Sequence, residues 1–231
     1  MRKVSLLALL TLAFISSCSD ETTVYQTSEQ ELYLENSEAV KLNSIVYDNA
    51  GVIDVMQNNQ LSGKSSKSVP DDSAGDYPIT LVAQVYPPSY VGGSYLTASH
   101  VYLEGDFVYV AYNTVGVDFA GAIDIINVSN PNIPIVTSRL YYPNADINSI
   151  KYENGFVYAV GGLDVKQYVA ATSNSFIVKI PAINGIIDLG SEMVYGYQPG
   201  FVATDLVLMD KSVYVTSGMD GSLTEYDKNT L

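Results

Sequence analysis

The sequence predicts an all-β fold assembled from consecutive four-stranded antiparallel units, and three observations carry that expectation. Three segments align with one another: ASHVYLEGDFVYVAYN from Ala98, INSIKYENGFVYAVGG from Ile147 and TDLVLMDKSVYVTSG from Thr204. Their second strands share Val108-Tyr109, Val157-Tyr158 and Val213-Tyr214, a pair that recurs at a period of about fifty residues. The composition agrees, since 47% hydrophobic residues and 19 tyrosines suit half-buried pleated surfaces rather than a disordered chain. Four short strands in about fifty residues is the pattern of a propeller blade, so the expected architecture is a β-propeller with four-stranded blades.

The elements of each unit follow in order. The first two strands are joined by tight turns at Gly105-Asp106, Asn154-Gly155 and Asp210-Lys211, residues that suit sharp reversals. A third strand is expected at 122–128, 175–180 and 222–226, and a fourth at 135–141 and around 186–195. The stretch 78–87 reads as a further fourth strand, matching 134–143, and is expected to close a ring by pairing into the last blade. About three blades are present where a closed ring typically needs at least four. The expectation is therefore an incomplete ring, cut from a longer protein, with two facing sheets of a sandwich as the competing arrangement.

Before the repeats, Arg2 and Lys3 precede a short apolar stretch over 4–15, which reads as a secretory signal. Ile15-Ser16-Ser17-Cys18 follows, ending in the single cysteine of the chain, and resembles the lipobox of bacterial lipoproteins. That resemblance implies a signal peptide over 1–17, diacylation of Cys18 and anchoring in a membrane, since two acyl chains hold where one does not. Ser19-Asp20-Glu21 resembles the acidic export signal of Bacteroidetes lipoproteins, implying the outer face of the outer membrane. Residues 18–76 are polar and read as a flexible tether, with a hairpin or a short helix possible around Lys41 to Met56. Residues 77–231 form the partial propeller. With Cys18 lipidated no disulfide or thiolate metal site is available, and a formal net charge of -14 excludes nucleic acid as a partner.

The run Gly121-Ala122-Ile123-Asp124-Ile125-Ile126-Asn127-Val128-Ser129-Asn130-Pro131-Asn132-Ile133-Pro134 resembles the LVIVD-repeat proteins, a propeller-like family of bacterial surface proteins. In that family an aliphatic strand with an aspartate runs into a Ser-Asn-Pro turn. The resemblance covers 77–231, although only the first unit carries the full turn, and it implies a fold and a surface setting but no activity. By strand alternation Ile123 and Ile125 face one side, to pack against the neighbouring blade.

Binding is expected on one side of the disc. The connections from strand two to three and from strand four to the next unit are long, and long loops on a rigid scaffold carry function. Tyr90, Tyr95, Tyr168 and Phe201 lie in those loops, offering aromatic faces to a glycan or protein ligand. Gly-x-Asp recurs there at Asp118, Asp164 and Asp220; repeated carboxylates suit Ca²⁺, but aspartate beside glycine is also ordinary turn chemistry. His100, Ser149 and Asp205 occupy one equivalent position at the start of successive units. A nucleophilic triad needs contacts of about 3 Å, and corresponding positions on neighbouring blades are expected to lie farther apart, so these residues read as lining of a central channel. One histidine and no spare cysteine disfavour a zinc site. No catalytic residue and no cofactor are assigned. The leading reading is a cell-surface binding or scaffold module, and the alternative is a polysaccharide hydrolase or lyase whose catalytic residues lie outside this sequence.

Overall fold

The computed structural model describes residues 32–47, 82–90, 96–116, 118–167 and 170–231. Cys18, Tyr95 and Tyr168 lie outside the described residues, as do the signal, the export motif and much of the stretch read as a tether. The described chain is all-β, with strands arranged in consecutive antiparallel sheets.

The strands of sheet I are β4 (Leu96–Glu104), β5 (Phe107–Thr114), β6 (Gly121–Asn127) and β7 (Ile135–Tyr142). They run as an antiparallel meander with β4 at one edge. Sheet II repeats the plan with β8 (Ala145–Glu153), β9 (Phe156–Leu163) and β10 (Ser175–Ile183), followed by β11 (Ile186–Ile187) and β12 (Val194–Gln198), both paired with β10. Sheet III has three strands: β13 (Val202–Leu208), β14 (Ser212–Gly218) and β15 (Leu223–Asp227). The strands in sheet II differ from the sequence expectation at one point. The third strand continues to Ile183, turns through Asn184 and Gly185, both at positive φ, into the short β11, and only then does β12 supply the outer strand.

Alternation along each strand gives sheets I and II two apolar faces and sheet III one. The face turned toward the next sheet carries Tyr109, Ala111, Ile123 and Ile125 in sheet I, and it meets Ile147, Ile150, Val157, Ala159, Phe176 and Val178 of sheet II in one buried cluster. Tyr158, Val160 and Ile177 then meet Ala203, Leu206, Val213, Val215 and Tyr226 of sheet III. Fully burying each such side chain is worth about 1.5–3 kcal/mol, so these two interfaces hold the body together. The first strand of each later sheet lies against the inner strands of the one before.

The same irregularity marks all three sheets. The register shifts between Ala98 and His100, between Ile147 and Ser149, and between Ala203 and Asp205, so Ser99, Asn148 and Thr204 are each an extra bulged residue. The bulge re-aims that side chain across the interface. Ser99 Oγ donates to the Ile147 carbonyl at 2.6 Å, and Asn148 Nδ2 donates to the Ala203 carbonyl at 2.9 Å. One local device thus fastens each sheet to its successor.

Two N-terminal features depart from the sequence reading. Where a tether is expected, residues 32–47 join the folded body through β1 (Tyr33–Leu34), which adds a fifth strand to β7, then helix α1 (Glu38–Asn43) and β2 (Ile45–Tyr47). Ser37 caps α1 by accepting the Val40 N–H. The strand expected to close a ring, β3 (Ala83–Val85), instead pairs with β2. That two-stranded sheet covers the other face of sheet I, where Ile45, Ala83 and Val85 pack with Val110, Tyr112, Ala122 and Val136. Beneath it Arg139 and Asp124, 2% and 0% exposed, form a bidentate pair at 2.7 Å for both contacts. Arg139 also donates to Ser44 Oγ and the Tyr86 carbonyl, tying the N-terminal strands down.

Candidate functional site

The connection between β5 and β6 and the one between β12 and β13, which is only 199–201 where a long loop is expected, converge on a cleft of about 340 Å³. Its walls come from three successive sheets: Gly116 and Phe119 after β5, Asp146 and Asn148 in β8, and Phe201 with Val202 at the entry to β13. The Phe119 and Phe201 ring centroids lie 5.7 Å apart at an interplanar angle of 44°, forming a bent aromatic wall. Gly162 underlies it. A Cβ there would come within 2.9 Å of the Phe119 ring and 3.0 Å of Val202, so glycine lets both approach the strand.

Asp146 is the titratable group of this cleft. Its Oδ1 accepts three bonds, from the Thr114 N–H at 2.9 Å, the Thr114 hydroxyl at 2.9 Å and the Ala120 N–H at 3.2 Å. Burial nevertheless raises its pKa above the ordinary aspartate value, the three donors opposing that shift only in part. Asn148 accepts from Asn113 Nδ2 at 2.8 Å and donates one of its N–H groups to Ala203. The cleft therefore presents aromatic faces and a desolvated carboxylate.

Of the residues expected to bind, Phe201 stands in this cleft, 47% exposed. Tyr90 does not: its hydroxyl donates to the Gly121 carbonyl at 2.5 Å and its ring meets Tyr141 edge-on at 5.3 Å. Asp118 is exposed, and its backbone carbonyl shares the single Thr114 hydroxyl proton with Asp146. Asp164 caps a short 3₁₀ turn, accepting from the Lys166 N–H and Gln167 Nε2, each at 3.0 Å, which lowers its pKa. Asp220 is an exposed turn residue at φ 63°. Among the described residues no three carboxylate, histidine or cysteine groups gather where they could hold a metal ion. Phe119, Asp146 and Asn148 were not singled out in the sequence; the bulge at Asn148 that shapes this strand end is set by the pairing of β8 with β9.

The channel-lining set needs one correction. Ser149 Oγ donates to Asp205 Oδ1 at 2.7 Å, a direct contact where separation is expected, because the bulges bring the first strands of successive sheets side by side. Burial opposes ionisation of Asp205, but the Ser149 hydroxyl, the Leu206 N–H and nearby His100 outweigh it and lower its pKa. His100 Nδ1 accepts the Ile150 N–H at 3.4 Å, and burial, then Lys151, lowers its pKa. Serine thus donates to the carboxylate and the imidazole is turned to the backbone, whereas a triad needs the histidine between them.

A larger groove of about 710 Å³ runs along β4, β8 and β13 toward the tight turns. Its charged groups already have partners: Lys151 Nζ lies 4.7 Å from the Tyr102 ring centroid, the Tyr102 hydroxyl donates to Glu104 at 3.2 Å, and Glu153 pairs with Lys228. The rim cleft is the better candidate because, among the described residues, its carboxylate has no such counter-charge. No family model, curated protein or solved structure matches this chain.

Proposed function

We propose that this chain is a propeller-type binding module, held at the bacterial surface by a lipid on Cys18, and that it engages its ligand in the rim cleft. One observation carries the reading: three consecutive sheets deliver Phe119, Asp146 and Phe201 to a single concave site on the side where the long connections emerge. Sites of this kind are concave, mostly apolar and supplied with few polar groups. The repeated sheet, the repeated bulge and the side-to-side order of the sheets support the propeller reading. The anchoring rests on the sequence before Ser19 and on its resemblance to a lipobox.

The test has two arms. In bacteria fed a clickable palmitate, the intact chain takes up label and Cys18→Ser does not; equal labelling of both would remove the anchor. The soluble chain from Ser19 onward is screened against glycans and envelope proteins, alone and as Phe119→Ala with Phe201→Ala. Loss of the ligands bound, with the melting temperature retained, is expected, and undiminished binding by the double variant would overturn the site.

A further inference from the structure

Three carboxylates on the strands of this protein have a cation close by. Asp124 has Arg139, Glu153 has Lys228, and Asp205 lies within electrostatic reach of His100 and Lys151. Asp146 is different. Its three donors are neutral, all three bind Oδ1, and among the described residues no lysine, arginine or histidine pairs with it. Among the described residues no donor is given to Oδ2, in a cleft whose other walls are Phe119 and Phe201.

The cleft's chemistry is one-sided. The Asn148 amide spends its oxygen on Asn113 and one of its two N–H groups on Ala203, so acceptors and aromatic faces dominate the lining side chains. A hydroxyl or amide ligand would bring acceptor lone pairs for which these side chains offer no donor beyond the second Asn148 N–H. An ammonium group donates only, and a cation over an aromatic face is attracted by the ring's quadrupole. A volume of about 340 Å³ is at the small end for ligand sites and suits one head group. The acidic chain, at a formal net charge of -14, attracts cations over a distance.

We infer that the rim cleft is a receptor for an organic ammonium group, with Asp146 as its counter-ion and Phe119 and Phe201 as its aromatic walls. This rests on the rim cleft being the ligand site. Asp146 is then held unpaired at a cost to the free protein, and the ligand supplies the missing charge.

The experiment is an NMR titration of the chain from Ser19 onward, following the ring signals of Phe119 and Phe201 and the amide of Asp146. The probes are tetramethylammonium chloride and n-butylammonium chloride, which separate a choline-like head group from a lysine-like one, with tert-butanol and 1-pentanol as neutral counterparts and sodium chloride as the ionic control. Saturable shifts with one or both ammonium probes are expected. Binding weakens about tenfold or more in Asp146→Asn, and it fades as pH falls through the raised pKa of Asp146 while the protein stays folded. Equal binding of the neutral counterparts, wild-type affinity in Asp146→Asn, or no saturable shift would overturn the inference. If neutral saccharides move the same signals and ammonium does not, the ammonium assignment falls and the site stands. If no probe, glycan or envelope protein perturbs these residues, both fall.

Discussion

The interface between sheets I and II and the one between sheets II and III use equivalent positions and differ in polarity. Across sheet I, Tyr102, Tyr109 and Ile125 form one cross-strand row; in sheet II the same row is Lys151, Tyr158 and Lys179, and in sheet III it is Val207, Tyr214 and Glu225. An isoleucine that is fully buried gives way to a lysine 8% exposed and then to an exposed glutamate. Lys179 is accommodated because its Nζ lies 4.3 Å from the Phe156 ring centroid and donates to the Lys228 carbonyl at 3.1 Å. The difference shows that one backbone plan tolerates a wide range of interface chemistry. What stays constant is the apolar set on the receiving face, Ile147, Ile150 and Val157 in one sheet and Ala203, Leu206 and Val213 in the next.

The sharpest way to break the comparison lies on the other side of sheet I, where an ion pair replaces apolar contact. Arg139→Ala leaves Asp124 buried with only the Tyr112 hydroxyl, at 3.1 Å, for a partner, and removing one member of a buried pair costs about 3–5 kcal/mol. Urea unfolding should show the largest loss of any single substitution considered, together with release of residues 32–47 in hydrogen exchange, since Arg139 also holds Ser44 and Tyr86. A loss below about 1 kcal/mol would mean that the N-terminal strands are held by apolar contact alone.

A second series reads one position through all three sheets. Val101, Ile150 and Leu206 follow the bulge by the same number of residues but are 63%, 0% and 1% exposed. Truncation to alanine should cost about 2–5 kcal/mol at Ile150 and at Leu206, with Ile150 the higher because it sits in the larger cluster. At Val101 the cost should stay within about 0.5 kcal/mol. Equal losses at all three would contradict the unequal covering of the sheets.

The sequence made the repeat legible because strand alternation and tight turns are local. The aligned Val-Tyr pairs mark the second strands at β5, β9 and β14, and the two-residue turns at Gly105 and Asn154 fall where expected. Pairing between distant segments was not legible. Residues 82–87 carry a strand pattern that names no partner, and the choice of β2 depends on the apolar face of sheet I that needs covering. The site was half legible: Phe201 announces itself as an aromatic residue in a connection between strands, whereas Asp146 looks like any strand residue until the bulges set its neighbours.

Ser149→Ala tests the polar part of the second interface. It removes the 2.7 Å bond to Asp205 and should cost about 1 kcal/mol, the net worth of one hydrogen bond. The same substitution should leave ligand binding at the rim unchanged, because the Ser149–Asp205 contact belongs to the groove side of the first strands. Loss of binding would couple the two sites and redraw the boundary between them.

The smallest expected effect carries the most information about the cleft. Burial raises the pKa of Asp146 above 3.8, so over the interval between the unfolded and folded values the folded state binds more protons than the unfolded one. Its contribution to stability is then fully present below the unfolded pKa and lost as pH rises through the folded pKa. Asparagine keeps an acceptor oxygen for Thr114 and Ala120 and carries no charge to desolvate. Asp146→Asn should therefore melt slightly above the wild type at pH 7, and the two curves should converge as the solution is acidified below about pH 4. A variant less stable than wild type at neutral pH would make Asp146 a structural tie between sheets I and II. A gain would mark a carboxylate kept at the expense of stability, which places it with the ligand rather than with the fold.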